Sequence, residues 1–210
     1  MHADLLLTNV IDDDEEGEIL AAIRASMKKA RGYADFFGWA ENRDLEEWGV
    51  LQCLKESLEA QGRPFYWPTL KVRGRPNDPP DFEALDAEGR RVAVEVTELV
   101  SEDAIRAHKA GAVYDFAVWD QDTFLNALTE SISRKDAKFP RLKGPPYPGG
   151  YDLVVFTDEP MLSRDIIEGF LRDRTFPVEY LSRVILLKGY DPGVERCPVY
   201  ELTTHVRREC

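Results

Sequence analysis

The chain has 210 residues and a formal net charge of −12, with 43% hydrophobic and 31% charged residues. This length allows one well-buried core, and the composition is typical of a soluble globular protein. There is no run of about 18 apolar residues and no basic, signal-like N-terminus, so we expect a cytoplasmic protein with no membrane partner. Three cysteines without a CxxC pair and three dispersed histidines argue against a disulfide framework, a zinc hydrolase or a Ser-His triad.

The N-terminal part of the sequence predicts two helices. The first covers about residues 15–31, and the second covers about residues 45–61. The second helix carries a broad stripe that consists of Glu47, Trp48, Leu51, Leu54 and Leu58. Asp44, three residues before Glu47, is predicted to be the N-cap of this helix. Glu47 is therefore expected at the edge of the buried face, near the start of the helix.

A β-hairpin is predicted next, with arms at residues 82–86 and 91–99 around the turn DAEGR. Valines on one face of the second arm and Ala93 on the other indicate a central strand covered on both sides. Glu95 lies in this apolar run, where an unpaired carboxylate is costly. A solvent-facing strand would explain Glu95 without any function. Asp81, which follows two prolines, would be folded across from Glu95 by the hairpin and could share a metal ion with it.

The rest of the chain alternates helices and strands. Either a helical excursion or a mobile loop is expected over residues 101–114. A long helix over 122–137 places Lys135 on the apolar arc of Leu128 and Ile132. YDLVVFT, YLSRVILLKGY and CPVYELTT are predicted strands, the last one at a sheet edge, and SRDIIEGFLRDR is a predicted helix. This order predicts one α/β domain, with a central mixed β-sheet flanked by helices.

Within that one domain we expect an N-terminal helical segment, residues 1–61, packed on an α/β core of residues 62–210. Two basic segments interrupt the acidic sequence, at residues 62–76 and 134–143. Either segment could contact a polyanion or could be a solvated loop.

The pair Pro80–Asp81, followed after a turn by Glu95-Val96-Thr97, resembles the motif of the PD-(D/E)XK nuclease superfamily. The order of elements from about Leu45 to Leu187 is similar as well. The resemblance implies a restriction-endonuclease-like fold and a nuclease that uses Mg²⁺ or Mn²⁺ to hydrolyse DNA, with RNA as the second choice of substrate.

The resemblance also implies roles for individual residues. Asp81, Glu95 and the backbone carbonyl of Val96 would be the metal ligands. Glu47, which matches a carboxylate that many members carry on the first core helix, would complete the metal shell through a water. Glu98 points to the other face of its strand and is not counted as a ligand.

The chain departs from the family pattern at Thr97, where the motif has lysine. Threonine can hydrogen-bond a water but brings no positive charge. Either Lys135, with Lys138 as second choice, replaces that lysine from the next helix, or the site is weak or inactive.

In an active enzyme, the catalytic residues would be Asp81, Glu95, Thr97 and Lys135. The residues that contact the nucleic-acid backbone would be Arg73, Arg75, Lys138 and Arg141. The alternative is a catalytically weak or inactive nuclease-fold module that binds a protein or a nucleic acid. Besides nucleic acid, the partners considered for the chain are a second copy of itself and a protein that binds its acidic surface. An unrelated hydrolase or nucleotide binder is disfavoured, because there is no GxSxG and no Walker loop.

Overall fold

The computed structural model describes residues 33–34, 43–63, 65–74, 76–111 and 116–206. In chain order the elements are α1 (Arg43–Glu59), a 3₁₀ helix (Trp67–Thr69), β1 (Lys71–Val72), β2 (Phe82–Leu85), β3 (Arg91–Glu98), α2 (Glu102–Lys109), α3 (Gln121–Asp136), a second 3₁₀ helix (Phe139–Arg141), β4 (Gly150–Thr157), α4 (Arg164–Leu171), β5 (Phe176–Val178), β6 (Arg183–Lys188), β7 (Val199–Glu201) and β8 (Thr204–Val206). The predicted helix at residues 15–31 lies outside the described residues.

Six strands form one mixed sheet in the order β1-β2-β3-β4-β6-β7. β3, β4 and β6 are parallel, whereas β1–β2, β2–β3 and β6–β7 are antiparallel. The prediction of a single α/β domain with a central mixed sheet is confirmed, and β7 is an edge strand as expected. A separate parallel pair, β5–β8, was not predicted.

Helices cover both faces of the sheet. This arrangement removes from water the apolar side chains that β3 carries on both of its faces. Val92, Val94 and Val96 face a core that is closed by the apolar stripe of α1. Ala93 faces a second core, which is built with α3 and α4. The predicted stripe on α1 is confirmed, since its leucines are almost fully buried. Every residue of β3 from Val92 to Val96 is therefore in the interior.

The start of α1 differs from the prediction. The helix begins at Arg43, so Asp44 lies inside it and cannot be its N-cap. The Asp-x-x-Glu pattern was misleading here because it fits the first turn of a helix as well as a cap.

The last turn of α3 is anchored by two sets of hydrogen bonds. The buried carboxylate of Asp136 accepts hydrogen bonds of 2.7 to 2.9 Å from the backbone N–H groups of residues 179–181. The hydroxyl of Tyr151, on β4, donates to the backbone carbonyl of Lys135 at 3.0 Å. Together these bonds hold Lys135 in a fixed place above the sheet.

No helix within the described ranges is long and apolar enough to cross a membrane.

Asp136→Ala is predicted to destabilise the protein by about 2–4 kcal/mol, because it leaves backbone donors without an acceptor in a buried place. Urea unfolding followed by circular dichroism measures this change. Glu130→Ala removes a carboxylate from an exposed position of the same helix and should change the free energy of unfolding by less than about 0.5 kcal/mol. Equal effects of the two substitutions would contradict the anchoring role.

Candidate metal centre

The β2–β3 hairpin places Asp81 beside Glu95. Phe82 pairs with Val94, so Asp81, one residue before β2, comes across from Glu95. Because Phe82 and Val94 face the α1 side of the sheet, the two carboxylates face the α3 side. The Asp81 Oδ2 atom accepts a 2.8 Å hydrogen bond from the backbone N–H of Val96. The hairpin thus joins two acidic side chains that are 14 positions apart in the sequence.

Glu95 is completely buried, with 0% of its surface exposed. The interpretation of Glu95 as a solvent-facing strand residue is therefore wrong. Its Oε1 atom is buried and has no hydrogen-bond partner among the described residues. A buried carboxylate oxygen without a partner is costly and rare. This oxygen is available to a cation.

Lys135 reaches this place from α3 and is only 4% exposed. Its Nζ atom contacts Glu95 Oε2 and donates a 2.9 Å hydrogen bond to the backbone carbonyl of Val96. The same Nζ lies 3.9 Å from Asp81 Oδ2. Lys138, one turn further along the chain, has its Nζ 3.9 Å from Glu95 Oε2, with 41% of its side chain exposed. Lys135 therefore points inward, as its place on the helical arc predicts.

A third carboxylate, that of Asp78, belongs to the site but was not predicted. Asp78, Asp81 and Glu95, which we call the acidic cluster, each offer an oxygen, and these oxygens lie within 4.8 Å of one another. Asp78 lies in the NDPPD loop, where no periodicity indicates the direction of a side chain. The one available signal was its spacing of three residues from Asp81.

The loop that carries Asp78 is tied to the segment after α3. Lys143 donates its backbone N–H to the carbonyl of Pro79 and its Nζ to the carbonyl of Pro76, both at 2.7 Å. These bonds bring together the two chain segments that border the acidic cluster.

The acidic cluster carries more negative than positive charge. Burial, reinforced by the neighbouring carboxylate of Glu95, raises the pKa of Asp81 to about 7. The Lys135 ammonium and the Val96 N–H lower the pKa of Asp81, whereas the carboxylate of Glu47 raises it further. One buried ammonium therefore does not balance the carboxylates around it.

The acidic cluster could hold a metal ion. Carboxylate and carbonyl oxygens are the ligands preferred by Mg²⁺ and Mn²⁺. Opposite ligands of an octahedral Mg²⁺ are about 4.2 Å apart, so small side-chain rotations would bring these oxygens into range. The unpartnered Oε1 of Glu95 and the excess negative charge both fit a divalent cation.

Two other residues of the predicted site lie near its border. Glu47, on α1, is half-buried and close enough to Asp81 to affect its pKa, but it is not part of the acidic cluster. Thr97 is half-buried and follows Glu95 on the same face of β3.

The residues predicted to contact nucleic acid differ in their exposure and in whether they already form ion pairs within the fold. Arg73 forms a 2.8 Å ion pair with Glu83, which also pairs with Arg91, and its side chain is only 18% exposed. Arg141 is exposed at the end of the second 3₁₀ helix. Arg75 lies outside the described residues.

Comparison of the chain with protein-family models, with curated proteins and with solved structures finds no match. The chemistry of the site therefore has to be argued from its own contacts.

Asp81→Asn is predicted to stabilise the metal-free protein increasingly as the pH rises. The pKa of Asp81 is raised from 3.8 to about 7 by folding, so the folded state binds this proton more tightly than the unfolded state does. Ionisation of Asp81 therefore lowers the free energy of unfolding between about pH 4 and about pH 7, and asparagine avoids this loss.

Urea unfolding in EDTA at several pH values measures the difference between wild type and variant. Asp122→Asn, the same substitution at an exposed position on α3, is the control and should show a much flatter difference. If the Asp81→Asn difference is also flat with pH, the carboxylate is not held in a costly environment.

Proposed function

We propose that the protein is a Mg²⁺- or Mn²⁺-dependent nuclease of the PD-(D/E)XK type, with a restriction-endonuclease-like core. One observation carries this proposal. The carboxylates of Asp81 and Glu95 and the backbone carbonyl of Val96 converge on one point, and a buried lysine reaches the same point from the next helix. This set of groups is what hydrolysis of a phosphodiester needs, because it combines ion ligands with a fixed positive charge.

In this proposal each residue has a defined task. Asp81, Glu95 and the Val96 carbonyl hold the ion, with Asp78 as a further ligand. A bound Mg²⁺ or Mn²⁺ would polarise the phosphoryl group and lower the pKa of the attacking water. Lys135 supplies the positive charge that Thr97 lacks, and it orients the water and steadies the charge on the phosphate. Thr97 offers that water a hydroxyl.

The nucleic-acid backbone would approach along the end of α3. Lys138 is half-buried near Glu95, and Arg141 is exposed three residues further on. Arg141 forms no ion pair among the described residues, and Lys138 has only its 3.9 Å contact with Glu95, whereas Arg73 would have to leave a 2.8 Å ion pair with Glu83. DNA is the proposed substrate, with RNA second. We expect binding to weaken as salt is added.

A non-catalytic binding module is the second candidate. Lys135 already neutralises part of the acidic cluster through its contacts with Glu95 and Val96, and these contacts form without a metal ion. The loss of the motif lysine at Thr97 points in the same direction. Such a module would keep the fold and bind a nucleic acid or a protein without cutting.

Asp81→Asn and Glu95→Gln are each predicted to lower the cleavage rate by at least about 100-fold, or about 2.7 kcal/mol in the activation barrier. Either substitution removes a charged ligand but keeps the size of the side chain. The assay uses metal-stripped protein with plasmid DNA, single-stranded DNA and RNA, each in EDTA, Mg²⁺ and Mn²⁺.

Glu98→Gln is the matched control, because Glu98 ends the same strand but does not belong to the acidic cluster. It should cut at the wild-type rate. Metal-dependent cutting that survives either Asp81→Asn or Glu95→Gln would contradict the proposed centre. No cutting by the wild type with any substrate, with nucleic-acid binding retained, would favour the binding module.

Lys138→Ala and Arg141→Ala are each predicted to weaken DNA binding and to reduce the slope of log K against log salt by about 1, the loss of one phosphate contact. Fluorescence anisotropy with labelled duplex DNA at several salt concentrations measures both quantities. Arg172→Ala removes a charge from a groove beside β7 whose lining includes no residue of the acidic cluster, and it should leave the slope unchanged. Equal slopes for all three variants would exclude this surface.

A further inference from the structure

The Lys135 ammonium contacts the same atoms that are proposed to bind the ion. Its Nζ contacts Glu95 Oε2, donates a 2.9 Å hydrogen bond to the Val96 carbonyl and lies 3.9 Å from Asp81 Oδ2. These three oxygens are the proposed ligand set. The lysine therefore acts as the cation of the acidic cluster in this conformation.

An ammonium and a divalent cation cannot share these oxygens. Both are positive, and both would sit inside a core of low dielectric constant where like charges repel strongly. A cation that binds Glu95 Oε2 and the Val96 carbonyl must replace the Nζ of Lys135 at both atoms. The flexible four-carbon stem of lysine allows such a movement without moving α3, whose end is fixed by Asp136.

The structure also provides a direction for this movement. Lys138 Nζ lies 3.9 Å from Glu95 Oε2, while 41% of the Lys138 side chain is in contact with solvent. The side chain of Lys138 therefore links the buried carboxylate of Glu95 to solvent just beyond the C-terminal end of α3. A displaced ammonium can move out along this path, toward the place where a phosphate would bind.

We propose that Lys135 is an exchangeable resident cation, which leaves Glu95 and the Val96 carbonyl when a divalent cation binds and thereby limits the metal affinity of the site. This inference rests on the proposed function, and it adds a second role for Lys135 at the same site. In this proposal the Lys135 ammonium first competes with the ion for the same oxygens. Once the ion is bound, the same ammonium stands beside the phosphate of the substrate.

The first test measures Mn²⁺ binding to metal-stripped protein by isothermal titration calorimetry, in alkaline buffer where protons compete little for the carboxylates. Lys135→Met keeps most of the stem but removes the charge. We expect its Kd for Mn²⁺ to be at least about tenfold lower than that of the wild type, or about 1.4 kcal/mol. Lys138→Met removes the same charge from the half-exposed neighbour and should change Kd by less than about fivefold.

The second test uses the wild-type protein and does not depend on the folding of a variant. Lysines are acetylated briefly with acetic anhydride, with and without saturating Mg²⁺, and the modified peptides are quantified by mass spectrometry. Lys135 should be protected in EDTA and should become several-fold more reactive with Mg²⁺. Lys55, on α1, is the internal reference and should not change.

The outcomes separate this inference from the proposed function. Wild-type protein that binds Mn²⁺, together with a Lys135→Met variant that binds it equally well or more weakly, would overturn the exchange and leave the metal centre intact. Binding by Lys135→Met alone would show that the lysine excludes the ion from the wild type instead of exchanging with it, and it would overturn both the exchange and the metal-dependent nuclease. If neither protein binds Mn²⁺, both the exchange and the metal-dependent nuclease are wrong.

Discussion

The contact of the Lys135 ammonium with the carboxylate of Glu95 is the interaction on which the candidate site depends. Glu95 lies in the centre of a strand that is covered on both faces, where an unpaired charge would cost several kcal/mol. The fold meets this cost in part with one ammonium, which also reaches the Val96 carbonyl. Because Asp81 and Asp78 add negative charge at the same place, the balance is incomplete. A site with a remaining need for positive charge is suited to a cation.

The architecture supplies this site through long-range connections. The hairpin brings Asp81 across from Glu95, and the crossover from β3 to the parallel strand β4 carries α3 back over the sheet. The carboxylate of Asp136 then fixes the end of that helix to the segment before β6. The position of Lys135 is thus determined by hydrogen bonds outside the acidic cluster, while its flexible side chain can still exchange partners.

The sequence predicted those parts of the structure that leave a periodic signal. Alternation along β3 predicted a strand buried on both faces, and the helical arc of α3 predicted that Lys135 points inward; the structure has both features. Asp78 could not be predicted in the same way, because a loop residue has no period to orient it. The pairing of Arg73 with Glu83 depends on the register of β1 on β2, which a two-residue strand does not encode in its pattern. The nuclease activity itself stays a proposal.

The most direct test of the central claim is a crystal structure of the protein soaked in Mn²⁺, with anomalous scattering data that locate the ion without reference to the chain. We expect one strong anomalous peak between the carboxylates of Asp81 and Glu95 and beside the backbone carbonyl of Val96. We also expect Lys135 to have moved away from Glu95. Absence of a peak there, with the Lys135–Glu95 contact intact at a saturating Mn²⁺ concentration, would contradict both the metal centre and the exchange.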